Sequence, residues 1–146
     1  MKNCQLTIPS VVFAGQGSVE KLSTIIERES AKHVLIFTDK GIRGLGLSKP
    51  AEEICGKYAD VTVIEDLTAE PAVSDIERVL AEVKSQPDLI VGIGGGSVMD
   101  ASKGIAFAYY NDAPIFEYIY GRKQGGQALP NWPASLSVQI TRCAIC

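Results

Sequence analysis

Residues 88–97 read Asp-Leu-Ile-Val-Gly-Ile-Gly-Gly-Gly-Ser, and this stretch decides the fold. Its first half is apolar with almost no polar alternation, which is typical of a β-strand covered on both faces. The glycines follow at once, and an apolar helical pattern then continues over residues 98–110. A buried strand that passes through a tight turn into a helix is the repeating unit of a parallel sheet.

The same pattern recurs towards the N-terminus. Apolar strands are predicted over 33–38 and 61–65, each followed by a loop and a helix. The predicted helices cover 18–28, 48–58 and a stretch that begins with a capping box at Ser74 and Glu77, with a short helical stretch near 115–118 and a β-hairpin over 6–14. The order predicts an α/β fold with helices on both faces of the sheet, formed by residues 1–120, and an irregular tail over 121–146.

Composition agrees with one ordinary globular domain. The chain has 146 residues, a net charge of −3, 46% hydrophobic residues and 14 glycines. The acidic balance argues against nucleic acid as a partner, since that affinity depends on Lys and Arg. No secretory or membrane-spanning segment is recognised, and the scattered cysteines are typical of reduced thiols, so we expect a cytoplasmic protein without membrane partners.

The glycine turn after residue 93 is the main candidate site. Gly94, Gly95 and Gly96 have no Cβ to keep an oxyanion away from the backbone, and a helix predicted to start at Ser97 offers unpaired N–H groups. A pyrophosphate is the natural occupant of such a turn, although a ligand-free tight turn has the same residues. The spacing is neither the usual Gly-x-Gly-x-x-Gly fingerprint nor a Walker loop.

Two further side chains beside this turn have two interpretations each. Ser97 either caps the helix or donates its hydroxyl to a phosphate. Asp100 is either the acidic member of a capping box with Ser97 or a contact for the ribose or nicotinamide end of a cofactor. Lys103 is expected to face solvent.

Asp39 ends the strand that begins at His33. A carboxylate there can accept hydrogen bonds from a ribose diol and would repel a 2′-phosphate, which favours NAD over NADP. The alternative is a turn-forming aspartate, which is common where strands end. We favour the first interpretation because the glycine turn lies at the same edge of the sheet.

Metal and redox chemistry find little support in these residues. His33 is the single histidine, and this count excludes a multi-histidine metal site within the chain. His33 itself is expected to be structural. Cys143 and Cys146 form a Cys-x-x-Cys pair, but the pair does not open a helix after a strand and no second ligand pair accompanies it.

Three segments resemble the N-terminal half of the iron-dependent (group III) alcohol dehydrogenases. They are residues 11–18 (Val-Val-Phe-Ala-Gly-Gln-Gly-Ser), 35–41 (Leu-Ile-Phe-Thr-Asp-Lys-Gly) and 94–103 (Gly-Gly-Gly-Ser-Val-Met-Asp-Ala-Ser-Lys). The last is shared in looser form with glycerol dehydrogenases and dehydroquinate synthases.

The resemblance implies a Rossmann-like domain and NAD(P)-linked interconversion of a small alcohol and an aldehyde or ketone. It implies that Gly94, Gly95, Gly96 and Ser97 cradle the pyrophosphate, that Asp39 meets the adenosine ribose, and that Asp100 belongs to the cofactor cleft. It also implies a homodimer formed through the N-terminal strands.

The sequence departs from that family in two ways. The family continues as a helical domain whose Asp and three His bind iron or zinc, whereas this sequence ends at residue 146 with one histidine. Residues 131–139 match nothing in the family, yet residues 140–146 resemble the segment just beyond, as a local frame shift or deletion followed by truncation would produce.

We therefore expect weak dinucleotide binding without turnover by this chain alone. The alternatives are a non-catalytic nucleotide-binding fragment and a relative of the dehydroquinate synthase or glycerol dehydrogenase type.

Overall fold

The computed structural model describes residues 13–66, 72–83, 85–109 and 117, and the backbone of 135–139. A 3-10 turn at Ser18–Glu20 precedes the first helix. The elements that follow are α1 (Lys21–Glu29), β1 (His33–Phe37), α2 (Lys40–Gly44), α3 (Lys49–Tyr58), β2 (Asp60–Ile64), α4 (Val73–Glu82), β3 (Leu89–Gly94), α5 (Gly96–Tyr109) and β4 (Ser135–Gln139).

The described strands form one parallel sheet in the order β2-β1-β3-β4. β1 lies between β2 and β3, with Val34 opposite Val61 on one side and opposite Leu89 on the other. The predicted α/β architecture with a Rossmann-like parallel sheet is confirmed.

The hydrophobic core has two layers, one on each face of the sheet. Alternate residues of β1 and β3 point to opposite faces, as the pleat of a strand requires. Leu22 of α1 and Cys55 of α3 pack with Val34 and Val91 on one face. Val79 of α4 and Ile105 of α5 pack with Leu35 on the other face, so helices cover both faces as predicted.

Several helix boundaries differ from the prediction. Ser18 lies inside the 3-10 turn, so it does not cap α1. At α4, the predicted capping box of Ser74 and Glu77 is wrong, because the helix begins at Val73 after the N-cap Ala72. Asp75 occupies the third helical position, and its carboxylate accepts a hydrogen bond from the Ala72 N–H at 2.9 Å.

The start of α3 follows the prediction. Ser48 is its N-cap and Pro50 lies in its first turn. α2 was not predicted at all, because Gly41 and Gly44 make the segment a poor helix former.

β4 is the other element that the sequence did not reveal. It pairs with β3 from Ile90 opposite Ser135 to Gly94 opposite Gln139, inside the segment expected to be irregular. Its residues alternate Ser, Leu, Ser, Val and Gln, which is the period of a strand, but a run of five residues with two apolar members is too short to stand out.

Some predictions lie outside the described residues. They include the hairpin over 6–14, apart from residues 13 and 14, most of the helical stretch near 115–118, and the Cys143–Cys146 pair. The domain boundary at residue 120 stays a prediction. In the part of the chain that the structure describes, no helix has the length and apolarity needed to cross a bilayer.

Candidate functional site

The carboxyl ends of β1 and β3 mark the topological switch point of the sheet, and we refer to this place as the crevice. The two strands are neighbours, yet the chain leaving β1 leads to α3 on one face of the sheet, whereas the chain leaving β3 leads to α5 on the other face. Phe37 pairs with Gly92, so continuing this register brings Asp39 level with Gly94. Such a switch point is where open parallel sheets bind ligands.

The turn between β3 and α5 presents a helix N-terminus to this crevice. Gly95 is the N-cap, since its carbonyl accepts a hydrogen bond from the Met99 N–H at 3.1 Å. Gly95, Gly96 and Ser97 are exposed, whereas Gly94 is buried. The first N–H groups of a helix have no intrahelical acceptor and carry partial positive charge, so this turn suits an anion.

The glycines of this stretch divide into two groups. A Cβ added to Gly92 would lie 2.6 Å from Ser102 Oγ, and one added to Gly94 would lie 2.8 Å from Val98 Cγ2. These two glycines allow α5 to pack closely on β3. A Cβ on Gly95 or Gly96 would meet no atom within 4 Å. Packing therefore accounts for Gly94, whereas the described structure leaves free space above Gly95 and Gly96.

Ser97 and Asp100 do not form the capping box that one of their two interpretations described. α5 begins at Gly96, one residue before the predicted start, so Asp100 is the fifth residue of the helix and lies beyond its first turn. The Asp100 carboxylate is 3.5 Å from Lys103 Nζ, with 77% of the Asp100 side chain exposed. Lys103 faces solvent as expected. A contact between Asp100 and a cofactor stays a prediction.

Asp39 performs the local role that the alternative interpretation gave it. It is the N-cap of α2, and its Oδ1 accepts a hydrogen bond from the Ile42 N–H at 2.8 Å. Gly41 helps to make room for this carboxylate, because a Cβ there would lie 3.0 Å from Asp39 Oδ1. The cap fixes a half-buried carboxylate just beyond the carboxyl end of β1, and a contact of Asp39 with a ribose stays a prediction.

An ion-pair network beside Asp39 was missed by the sequence analysis. The guanidinium of Arg43 on α2 donates to Glu65 Oε2 at 2.8 Å and lies 3.4 Å from Glu52 Oε1. The hydrogen bond to Glu65 is the main reason that the pKa of Arg43 is raised above its ordinary value. Glu65 is 22 residues from Arg43 in sequence, so no local pattern could have revealed the pair.

Thr38 contributes an unusual buried hydroxyl at the end of β1. The residue is fully buried, and its Oγ1 has no hydrogen-bond partner within the described part of the chain. An unpaired buried hydroxyl costs about 1–3 kcal/mol. The hydroxyl of Thr38, the first residue after β1, therefore lowers the stability of the fold.

His33 lies at the opposite, amino end of β1 and is structural, as predicted. Its Nε2 is 3.0 Å from Thr62 Oγ1, and its Nδ1 is 3.2 Å from Ser85 Oγ. The Asp88 carboxylate accepts hydrogen bonds from the Lys32 and His33 N–H groups, and these bonds lower the pKa of Asp88. This cluster ties the amino ends of the strands together, away from the crevice.

Comparison with known proteins decides the family. The family model for iron-containing alcohol dehydrogenases matches residues 9–140. The chain belongs to this family. The resemblance seen in its motifs is thereby confirmed, and with it an oxidoreductase relationship.

Relatives within the iron-containing alcohol dehydrogenase family match along most of this chain. Alcohol dehydrogenase 4 of Saccharomyces cerevisiae is 30% identical over 94% of this chain and 38% of its own length. The NAD-dependent methanol dehydrogenase of Bacillus methanolicus is 31% identical over 76% of this chain and 30% of its own length. The chain spans about a third of the length of these curated relatives.

A solved family structure supports the fold. The iron-containing alcohol dehydrogenase of Thermococcus thioreducens superposes with a TM-score of 0.69 at 30% identity, covering 86% of this chain and 34% of its own. The described residues of the present family member contain no group of three or more His, Cys, Asp or Glu side chains that could hold a metal ion. These described residues by themselves therefore do not fit the family's metal.

Proposed function

We propose that this chain is the dinucleotide-binding part of an NAD-dependent oxidoreductase of the iron-containing alcohol dehydrogenase type. The observation that carries this proposal is the free space above Gly95 and Gly96 at the start of α5, in the same crevice as the fixed carboxylate of Asp39. The reaction would interconvert a small alcohol with an aldehyde or ketone. The NAD dependence in the name of the Bacillus methanolicus relative supports the choice of cofactor.

Five of the candidate site residues have a specific role in this proposal. The N–H groups of Gly95, Gly96 and Ser97 would bind the pyrophosphate, with the Ser97 hydroxyl as a further donor. Gly94 supports them by letting α5 approach β3. Asp39 would accept hydrogen bonds from the adenosine ribose and repel a 2′-phosphate. When bound, the nicotinamide supplies the hydride chemistry, and these residues bind and orient it.

The second candidate is a nucleotide-binding module without turnover, and the single histidine favours it for the 146 residues in isolation. The resemblance implies that the family's metal is held by one Asp and three His, and a metal polarises the substrate oxygen in such reactions. We expect these residues to bind NAD without oxidising an alcohol. A cytoplasmic location and a homodimer through the N-terminal strands remain predictions.

Titration calorimetry tests the proposal with NAD and NADP in parallel. We expect measurable NAD binding, weaker NADP binding, and a loss of that preference in Asp39→Asn, because asparagine can still cap α2 but carries no charge. Glu53→Gln is the matched control, since it removes the same charge from an exposed position on α3. If the protein bound neither NAD nor NADP, the proposal would be contradicted. NAD-dependent oxidation of ethanol or propanediol by the 146 residues would contradict the expected lack of turnover.

A further inference from the structure

We propose that Glu65 contributes to the choice of NAD over NADP by holding Arg43 away from the adenosine 2′-position. This inference rests on the proposed dinucleotide site and extends it. In this view Asp39 is not the sole determinant of cofactor choice. Glu65 acts through Arg43, so it is a positioning residue.

The backbone brings these residues to the place where the ribose would bind. Arg43 lies one helical turn after Asp39, and its N–H donates to the Asp39 carbonyl at 3.0 Å. Asp39 also forms an isolated antiparallel bridge with Asp66, the residue after Glu65. The ends of β1 and β2 therefore place Asp39, Arg43 and Glu65 side by side at one edge of the sheet.

The chemistry of Arg43 makes its position significant. A guanidinium is a favoured partner of phosphate, because its planar N–H donors match two phosphate oxygens at once. Dinucleotide-binding sheets that accept the 2′-phosphate use an arginine near the ribose in this way. Arg43 lies on the helix that Asp39 caps, so it is suitably placed for that role if its side chain is released.

The structure does not leave Arg43 available for that role. Its guanidinium is bound to Glu65 at 2.8 Å and lies 3.4 Å from Glu52. Glu52 is itself held by a hydrogen bond from the buried Ser48 hydroxyl at 2.7 Å. Two carboxylates against one guanidinium give this cluster a net charge of −1, so an arriving 2′-phosphate would meet repulsion and would have to displace a carboxylate.

Arg78 beside the end of β2 is similarly engaged. Its guanidinium is 2.8 Å from Asp66 and 3.1 Å from Glu82. Both arginines that the described residues place at this edge are thus paired with carboxylates, so neither guanidinium is available to a phosphate. Removal of the Glu65 carboxylate would break the shorter of the two contacts of Arg43, at 2.8 Å, and leave only the 3.4 Å contact with Glu52.

The test measures NAD and NADP affinities of Glu65→Gln, with Glu53→Gln as a control of equal charge change. We expect Glu65→Gln to strengthen NADP binding relative to NAD by about fivefold, the scale of one partly exposed charge interaction. Glu53→Gln should change the ratio much less. In an Arg43→Gln background the gain from Glu65→Gln should disappear, which separates release of Arg43 from a general change in charge. Thermal unfolding confirms that each variant is folded.

The outcomes separate this inference from the proposed function. If the unmodified protein binds NAD but Glu65→Gln behaves like Glu53→Gln, the role of Glu65 is refuted and the site stands. A gain that persists without Arg43 also overturns it. If the unmodified protein binds neither dinucleotide, both the site and this inference fail. Measuring the affinities for adenosine 2′,5′-bisphosphate, which carries the 2′-phosphate of NADP, and for AMP, which lacks it, repeats the comparison with the adenosine end alone.

Discussion

The division of the glycines predicts opposite consequences for two neighbouring substitutions. Gly94→Ala places a methyl group 2.8 Å from Val98 Cγ2 and 3.0 Å from Val98 Cβ, well inside the 3.5–4.0 Å that carbon atoms prefer. Val98 is 5% exposed and packs in the core, so it has little room to move. Overpacking of this kind costs about 1–3 kcal/mol of unfolding free energy.

Gly95→Ala should not destabilise the fold. Within the described part of the chain the added methyl group meets no atom within 4 Å, and Gly95 is not among the described glycines with a positive φ. Replacing glycine where alanine fits restricts the unfolded chain and adds about 0.4–1 kcal/mol, but alanine is a poorer N-cap than glycine by a similar amount, so we expect little net change in stability. The same methyl group would keep a pyrophosphate from the N–H groups, so we expect NAD affinity to fall about tenfold, equivalent to ~1.4 kcal/mol.

Urea unfolding and titration calorimetry with NAD measure the two effects on the same preparations. Gly56→Ala on α3 is the control, because its Cβ also meets nothing within 4 Å and it lies outside the crevice. It should raise stability and leave NAD affinity unchanged. A Gly95→Ala variant that is destabilised as much as Gly94→Ala, or that folds and binds NAD normally, would refute this division of the glycines.

Three further predictions concern buried or charged groups. Thr38→Val keeps the side-chain shape and removes an unpaired buried hydroxyl, so urea unfolding should show a gain of about 1 kcal/mol; a loss would mean that the hydroxyl has a partner. Burial raises the pKa of the Cys55 thiol from an ordinary 9.0 to about 11. The contribution of the protonated Cys55 thiol to the free energy of unfolding is complete below pH 9 and is lost as pH rises towards 11, by about 2 kcal/mol at most. The stability difference between wild type and Cys55→Ala should therefore narrow over that range. A constant difference would mean that the thiol is accessible. The lowered pKa of Asp88 contributes to the free energy of unfolding; this contribution is complete above the ordinary pKa of 3.8 and is lost as pH falls through the pKa of the folded protein. Asp88→Asn should therefore flatten the acid side of the curve of stability against pH. An unchanged curve would contradict the hydrogen bonds from Lys32 and His33.

Long apolar runs were the part of the fold that sequence could predict. The strands near 33–38 and 88–93 are buried on both faces, so their composition alone distinguishes them from helices and loops. Helix ends were harder, because a cap depends on one backbone angle and one hydrogen bond. At α4, Asp75 and Ala72 make the contact that the pattern assigned to Ser74 and Glu77.

The parts of the candidate site formed by consecutive residues were predictable from sequence. The parts that depend on contacts between residues far apart in sequence were not. The turn after β3 was found from consecutive glycines, but their sequence could not show that Gly94 serves helix packing while Gly95 does not. That distinction depends on where Val98 lies in three dimensions. The Arg43–Glu65 pair depends on the parallel pairing of β1 and β2, which no window of sequence contains.

The close contact between Gly94 and Val98 has a consequence for how this turn can change over time. It fastens the end of the strand to the first turn of the helix, on either side of Gly95 and Gly96. Among the described residues, a side chain at either of those two positions would make no packing contact. Substitutions there can change which ligand the protein binds while the fold is retained, so a new ligand preference can arise at this turn with little effect on the stability of the rest of the molecule.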